Sequence, residues 1–278
     1  MSTIMNLKRD KEKKAVKKLG DEIIKRMEEI TELKKQGNEE AEQIEKEKLL
    51  NWLTSLMEED EKRNSQKAIV VDRSILPREG ERLAEGEKIV LKVINKEEKE
   101  AYLAVVQEYS SMKKALENED FRDATWNEFF EEGAFVCSIY EKNFYEYLGY
   151  CSIKNMVQGD WELAIELKPE ACHKGYGTEA LTLLMQEMNR LTGKRFFRAR
   201  VEIDNHASQR LMKKLGGIPD GISEFLIHGE EIEEFQAEHK NLITDEIRAV
   251  AEEFCMEAED ILGYVLEYRF EMGSNQND

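Results

Sequence analysis

The sequence predicts an α/β protein, with a mixed, mostly antiparallel sheet flanked by helices and preceded by a helical N-terminal region. Three observations support this fold class. The chain has 278 residues, of which 41% are hydrophobic, so it can bury a core and form roughly two domains. Apolar residues recur every three or four positions through residues 1–66, as in amphipathic helices. After residue 87, short apolar segments alternate with helical ones.

The N-terminal region, residues 1–66, is predicted to be helical throughout. It is rich in Glu, Lys, Leu, Met and Gln, and it contains no proline. Gly37-Asn38 interrupts the periodicity, so we expect two helices joined in an antiparallel hairpin. With equal weight, the first helix could pair with another chain as a coiled coil, which would make a homodimer.

Residues 67–86 are interpreted as a connector, because Pro77 limits regular structure and the surroundings of Gly80 and Gly86 are typical of loops. The domain that follows, residues 87–278, combines strands with amphipathic helices. An acidic, largely helical insertion is expected around residues 230–257. The predicted strands are 88–93, 134–140, 147–153, 161–167, 196–203, 221–227 and 261–270. The other predicted helices are 97–116, 178–191 and 207–215.

The charge is strongly negative and unevenly distributed. With 41 basic and 59 acidic residues, the formal net charge is −18, which argues against a nucleic-acid partner. Residues 220–278 carry 3 basic and 17 acidic side chains, a net charge of −14. No apolar run is long enough for a membrane span, and no signal-peptide pattern occurs. Four scattered cysteines predict reduced thiols in a cytoplasmic protein, and four histidines show no metal-ligand spacing.

The most informative segment leads from a predicted strand through Cys172-His173-Lys174-Gly175-Tyr176-Gly177-Thr178 into a helix. Glycines allow close approach of the backbone to a ligand, and the first amides of the helix point outward toward a potential phosphate. Taken alone, the segment is equally consistent with an ordinary strand-to-helix turn. A second segment, Asn205-His206-Ala207-Ser208, follows the next strand, and Asn205 is typical of a helix N-cap.

Together the two segments resemble the GCN5-related N-acetyltransferase (GNAT) superfamily. Its acetyl-CoA loop reads Gln/Arg-x-x-Gly-x-Gly/Ala, and its later Asn-x-x-Ser runs into Lys-Leu-Gly-Phe, where this chain has Lys214-Leu215-Gly216-Gly217. The resemblance covers about residues 87–272 and is nearest to the branch that includes ribosomal-protein N-terminal acetyltransferases. It implies a GNAT-type sheet and acetyl-CoA as the cofactor.

The resemblance also implies roles for particular residues. Backbone groups of residues 165–167 would pair with the pantetheine arm, residues 172–178 would wrap the pyrophosphate, and Asn205 and Ser208 would contact the pantetheine and the thiol end. Cys172 replaces the usual Arg or Gln of the loop. Met212 stands where many members have a tyrosine that protonates the leaving thiolate, so Ser208 is predicted to replace it. The predicted cofactor-binding residues are Ile165, Glu166, Leu167, Cys172, His173, Lys174, Gly175, Tyr176, Gly177, Thr178, Asn205 and Ser208.

Transfer to an amine requires a base, because only the neutral amine attacks. Glu162 occupies a position typical of the family's base, and Glu166, with the same side-chain parity, competes for that role. The predicted function is N-acetyl transfer to a primary amine of a small molecule or a protein. Acidic residues around 230–238 favour a cationic acceptor, such as a polyamine, an aminoglycoside-like amine or a basic protein terminus. The alternative is a catalytically weak CoA-binding module with a regulatory or scaffolding role.

Overall fold

The structure, a computed structural model, describes residues 25–26, 29–36, 38, 41–49, 72–110, 112–127, 134–157 and 159–273. The chain divides into two compact units, residues 1–67 and 68–278. In the first unit, residues 29–35 and 41–49 are helical, and Asn38 caps the second segment by accepting a hydrogen bond from Ala41 N at 3.2 Å. The predicted turn at Gly37 and most of the predicted coiled coil lie outside the described residues.

A single sheet dominates the described part of the second unit. Its strands are β1 (Arg82–Glu85), β2 (Ile89–Val93), β3 (Phe135–Glu141), β4 (Tyr147–Lys154), β5 (Glu162–Leu167), β6 (Phe196–Glu202), β7 (Ile218–Ser223) and β8 (Val265–Glu271). They lie in the order β1-β2-β3-β4-β5-β6-β8-β7. Every neighbouring pair is antiparallel except β5 and β6, which are parallel. The predicted mixed, mostly antiparallel sheet is therefore confirmed.

Helices cover both faces of this sheet. They are α1 (Lys99–Tyr109), α2 (Glu119–Asn127), α3 (Tyr176–Thr192), α4 (His206–Lys214), α5 (Glu230–Glu238) and α6 (Asp245–Glu253). One core cluster joins Tyr102 of α1 and Trp126 of α2 to Tyr150 of β4. A larger cluster joins α3 and α6 to the opposite face, with Leu181 and Leu184 completely buried. Because adjacent residues of a strand point to opposite faces, β3 and β4 supply both clusters, Val136 and Tyr150 on one side and Cys137 and Cys151 on the other.

Several predicted boundaries differ from the structure; the last strand, for example, begins at residue 265 and not at 261. Helix α1 ends at Tyr109 because Ser110 is extended and its Oγ accepts a hydrogen bond from Met112 N at 2.9 Å, which competes with further helix. Residues 82–85 are not part of a connector, because they pair with β2. The acidic insertion forms two helices, since the Thr244 hydroxyl caps the second at Ile247 N. Strand β7 begins at residue 218, three positions earlier than predicted, and helix α2 had no sequence prediction.

Gly217 stands where the resembling family has phenylalanine. A Cβ atom at this position would lie 2.9 Å from both Met212 O and the Phe270 ring. The aromatic ring of Phe270, from β8, therefore occupies the space beside the end of α4, and a larger side chain at 217 could not enter without moving it.

Candidate active site

The central feature of the site is a gap between the parallel strands β5 and β6. Within residues 159–273, these strands share one bridge, Glu162 with Arg198, and Arg198 N donates to Trp161 O at 2.9 Å. Beyond this bridge they separate, while β6 continues to pair with β8 along its whole length. A cavity of about 710 Å³ occupies the gap and is lined by residues of both strands.

The edge of β5 that faces the gap is defined by hydrogen-bond alternation. Lys168 N donates to Leu148 O at 2.8 Å, and Tyr150 is the register partner of Glu166. In an antiparallel pair, residues bonded to the partner strand alternate with residues that are not. Ile165 and Leu167 therefore turn their backbone groups toward the gap, as predicted for them. The backbone groups of Glu166 face β4, and Glu166 also lines the cavity.

Tyr109, at the end of α1, is a cavity residue that the sequence reasoning missed. Its hydroxyl donates to Leu167 O at 2.6 Å and lies 3.8 Å from Cys172 Sγ. Burial raises the pKa of Tyr109, with the neighbouring Cys172 adding to the effect, so the hydroxyl remains a donor. The helical periodicity of residues 97–116 placed Tyr109 on an apolar face and carried no signal of this contact.

The loop between β5 and α3 lies at one end of the cavity. Gly175 precedes α3 with φ +88°, a conformation that glycine adopts without strain, and no side chain caps the helix there. Within the described chain, no hydrogen bond satisfies the backbone amides of residues 173–178. Lys88 fixes the loop by donating from Nζ to Lys174 O at 3.2 Å. Of the predicted loop residues, Cys172, His173, Gly175, Gly177 and Thr178 line the cavity, whereas Lys174 and Tyr176 do not.

The start of α4 forms the opposite wall. Asn205 Oδ1 accepts a hydrogen bond from Ser208 N at 3.0 Å, so Asn205 is the N-cap that its sequence position predicts. Asn205 and Ser208 also line the cavity, together with the buried Met212. The Ser208 hydroxyl makes no hydrogen bond to another described residue, and the Met212 thioether has no proton to donate.

The two candidate bases have different surroundings. Glu162 is buried, and its Oε2 lies 2.9 Å from Arg200 Nε and 3.8 Å from an Arg198 nitrogen. Glu166 accepts a hydrogen bond from Tyr150, but its buried Oε2 has no partner. Burial raises the pKa of Glu166, and the hydrogen bond from Tyr150 opposes this effect. The structure therefore brings both carboxylates to the cavity, one held by ion pairs and one partly free.

Arg200 and Phe225 complete the wall of the cavity, and neither was a predicted site residue. The Arg200 guanidinium lies 5.3 Å from the centre of the Phe225 ring, and Phe225 follows β7 and is 46% exposed. None of the acidic side chains of α5 lines the cavity. Only the parallel register of β5 and β6 brings Arg200 beside Glu162, so no local sequence pattern could have identified it.

Known proteins resemble the domain that holds this cavity. Residues 88–218 match the family model described as the acetyltransferase (GNAT) domain. A search of curated proteins finds no match. RimL, a ribosomal L7/L12 alpha-N-protein acetyltransferase solved with coenzyme A, shares 13% identity at a TM-score of 0.50, covering 70% of this chain and all of its own. The spermidine N-acetyltransferase of Vibrio cholerae shares 11% identity at a TM-score of 0.47, with coverages of 69% and 100%.

The ribosomal-protein-S5-alanine acetyltransferase of Vibrio fischeri shares 12% identity at a TM-score of 0.47, covering 69% of this chain and 97% of its own. At these identities, likeness in structure concerns the fold alone. The family model carries the assignment: the domain that contains residues 88–218 is a GNAT acetyltransferase domain. It is an N-acetyltransferase, and its cofactor is acetyl-CoA.

The residues present fit this cofactor. An unpaired strand edge suits the amide groups of an extended pantetheine chain, and unsatisfied amides at a helix N-terminus suit a pyrophosphate. Among the described residues, no group of three or more His, Cys, Asp or Glu side chains is arranged to hold a metal ion. Throughout the part of the chain that the structure describes, no helix is both long and apolar enough to cross a membrane.

Proposed function

We propose that the cavity between β5 and β6 transfers an acetyl group from acetyl-CoA to a primary amine. The observation that carries this proposal is the meeting of a free strand edge, an amide-rich loop and a partly unpartnered carboxylate at one cavity. Acetyl-CoA supplies an activated thioester, and the protein has to hold it, take a proton from the amine and return one to sulfur.

Cofactor binding is assigned first to the backbone. The edges of Ile165 and Leu167 would pair with the pantetheine arm, and the side chains of Asn205 and Ser208 flank the same region. The pyrophosphate would rest on the loop residues Cys172, His173, Lys174, Gly175, Tyr176, Gly177 and Thr178. Their amides supply the donors, which explains why Lys174 and Tyr176 can contribute although their side chains do not line the cavity.

We assign the base to Glu166 in preference to Glu162. A base needs an oxygen free to accept a proton, and Glu166 Oε2 is free whereas Glu162 Oε2 is held by Arg200. A raised pKa also brings a carboxylate closer to the range in which it accepts a proton from an ammonium group. Glu162 then has the role of orienting Arg200. Ser208 is the proposed proton donor to the departing thiolate, since its hydroxyl is unengaged at the cavity wall.

For the acceptor, we propose a cationic amine or a basic protein terminus. The support is the charge of −14 in residues 220–278, together with the contribution of that segment to the cavity through Phe225 and Val265. Because the glutamates of α5 do not line the cavity, their effect would be long-range attraction. Such attraction weakens as salt is raised. Turnover of a cationic amine should therefore fall with ionic strength, and turnover of a neutral one should not.

The test is release of thiol from acetyl-CoA over a panel of primary amines. Glu166→Gln should lower kcat by about 100- to 10,000-fold, the usual contribution of a general base. Glu162→Gln should leave more activity, and Ser208→Ala should slow turnover without preventing CoA binding. The matched control is Glu271→Gln, which removes a carboxylate paired with Arg195 at 3.2 Å, outside the cavity.

Two outcomes would change the proposal. Retention of activity in Glu166→Gln together with its loss in Glu162→Gln would move the base to Glu162. Tight CoA binding without turnover on any amine would favour the CoA-binding regulatory module, which the buried Met212 at the expected tyrosine position supports.

A further inference from the structure

The carboxylate of Glu166 is held through only one of its oxygens. Its Oε2 is buried and has no hydrogen-bond partner, so the hydrogen bond from Tyr150 falls on Oε1. Tyr150 lies directly opposite Glu166 in the register of β4 and β5, and residues opposite each other in an antiparallel pair project to the same face of the sheet. Tyr150 therefore decides which carboxylate oxygen is engaged and which stays unpaired.

A second tyrosine lies behind Tyr150. Tyr102, on α1, is hydrogen-bonded to Tyr150, and the centres of the two rings lie 4.7 Å apart. Both side chains are buried, and the ring of Tyr102 also packs on Trp126 of α2 with the ring centres 5.7 Å apart. Because close packing on several sides restricts both rings, the two hydroxyl groups are held together.

The chemistry of the three groups fixes the direction of these hydrogen bonds. An ionised carboxylate can only accept, so the single hydroxyl proton of Tyr150 is donated to Glu166. In its bond with Tyr102, the Tyr150 oxygen must then be the acceptor. Burial raises the pKa of Tyr150 well above its ordinary value, so this hydroxyl keeps its proton. The chain of donors therefore runs from Tyr102 through Tyr150 to Glu166.

Helix α1 contacts β5 at a second point. Tyr109 follows Tyr102 by seven residues, or about two helical turns, so the two side chains lie on the same face of α1. The hydroxyl of Tyr109 donates to Leu167 O at 2.6 Å. The tyrosines of α1 thus hold two consecutive residues of β5, the side chain of Glu166 through Tyr150 and the carbonyl of Leu167 directly.

We propose that Tyr102 is a positioning residue for the base, acting on Glu166 through the hydroxyl of Tyr150. The inference rests on the proposed function, because it takes Glu166 as the base. A hydroxyl that accepts a hydrogen bond becomes a better donor, so Tyr102 strengthens the bond that Tyr150 gives to Glu166. That bond favours the ionised carboxylate, which is the form that takes a proton from the amine. Neither tyrosine lines the cavity, so both act from behind the reacting groups.

Other ionisable groups near Glu166 have to stay constant in the test. Burial raises the pKa of Glu166, and Lys154 of β4 opposes this effect together with the hydrogen bond described above. Tyr109 of α1 interacts electrostatically with Glu166, Glu162 alternates onto the same face of β5, and Arg200 of β6 borders the same cavity. Substitutions of Tyr102 and Tyr150 by phenylalanine remove only hydroxyl groups and leave all these neighbours in place.

The test compares the acid limb of kcat/KM, the pH range in which activity falls as protons bind, in Tyr102→Phe, Tyr150→Phe and the double variant. Tyr150→Phe should move the limb upward by about 1–2 pH units, as expected for the loss of a hydrogen bond to a charged group. Tyr102→Phe should move it upward by about 0.3–1 pH unit, since a neutral hydrogen bond is about half as strong. Adding Tyr102→Phe to Tyr150→Phe should move it by less than about 0.2 pH unit more, because the group through which Tyr102 acts is absent.

Tyr147→Phe is the matched control. Tyr147 lies on β4 in the same buried cluster as Tyr102 and Tyr150, but its hydroxyl has no hydrogen-bond partner. Its removal should leave the limb within about 0.2 pH unit of wild type. An equal shift in Tyr147→Phe and Tyr102→Phe would trace the effect to any buried hydroxyl and would overturn the inference. Carboxyl NMR of each variant, with Glu166→Gln to identify the signal, gives the same pKa without turnover.

The outcomes separate the inference from the proposed function. An unchanged limb in Tyr102→Phe, or a shift that persists at full size in the Tyr150→Phe background, overturns the role of Tyr102 and leaves Glu166 as the base. Retained activity in Glu166→Gln removes the base itself, and the inference then fails with the proposed function.

Discussion

Gly149 is the position where one added methyl group should perturb both the fold and the site. It lies on β4 opposite Leu167, with φ +146°, a backbone conformation that other residues rarely adopt. A Cβ atom there would lie 2.2 Å from Glu166 O and 2.8 Å from Leu167 Cα. Because both neighbours are backbone atoms, no side-chain rotation can relieve the contact. Gly149→Ala must therefore push β5 away from β4 just beside the cavity.

The expected magnitude follows from two terms. A non-glycine residue at positive φ costs about 1–2 kcal/mol, and overpacking costs about 1–3 kcal/mol more, so the free energy of unfolding should fall by about 2–5 kcal/mol. Gly193→Ala is the matched control, since Gly193 has φ +75° at the end of α3 but nothing within 4 Å of its Cβ position. It should lose only the first term, about 1–2 kcal/mol.

The assay is urea unfolding of both variants, followed by titration with acetyl-CoA. A difference of about 1–3 kcal/mol corresponds to about 2–12 °C in Tm for a domain of this size. Gly149→Ala should also weaken acetyl-CoA binding, because it displaces Leu167, which borders the gap, and Gly193→Ala should not. Equal destabilisation of the two variants would refute the reasoning, since it would show that the close contact with β5 costs nothing.

Three further predictions concern the site. Glu166 acts only when deprotonated, so kcat/KM should be full above the pKa of Glu166 and should fall as the pH drops through it. Because burial raises this pKa, the fall in activity should occur at a higher pH than an ordinary glutamate would give. Tyr150→Phe removes the hydrogen bond that lowers this pKa, so the limb should move to higher pH, and an unchanged pH profile would argue against Glu166 as the base. Gly177→Ala should leave the free energy of unfolding unchanged or raise it by about 0.5–1 kcal/mol through helix propensity, since the added Cβ would make only ordinary 3.5 Å contacts. Calorimetry should nevertheless show weaker acetyl-CoA binding, because the methyl group would enter the cavity. In urea unfolding, Asn205→Ala should lower the free energy of unfolding by about 0.5–2 kcal/mol, because α4 loses its N-cap. Asn205→Asp should retain most of that free energy, and an equal loss in both variants would contradict a capping role.

Local sequence signals predicted a large part of the fold. Alternating apolar residues identified most strands of the sheet, and helical periodicity identified α1, α3 and α4. One error arose at Ser110, where a side-chain hydrogen bond to the backbone competes with continuation of the helix. Another arose at β1, Arg82–Glu85, which is a strand only because it pairs with β2. A four-residue strand carries too little alternation to be distinguished from a loop.

The candidate site shows the same division. The loop 172–178 and the N-cap Asn205 were recognisable because glycine positions and capping residues act on their immediate neighbours. The sequence could not decide which of Glu162 and Glu166 is the base, because both side chains lie on one face of β5 and only their hydrogen-bond partners differ. Those partners, Arg200 and Tyr150, come from two different neighbouring strands.

By itself, the sequence determined the local elements of this acetyltransferase: a strand edge, a glycine loop that begins a helix and a capped second helix, each specified within a few residues. Only the tertiary structure decided which groups meet at the cavity. Tyr109 reaches Leu167 across 58 positions, and Arg200 reaches Glu162 across 38. Such contacts depend on strand register and on where α1 ends against the sheet. Those features arise from the packing of the whole domain, since no short segment of the chain contains both partners.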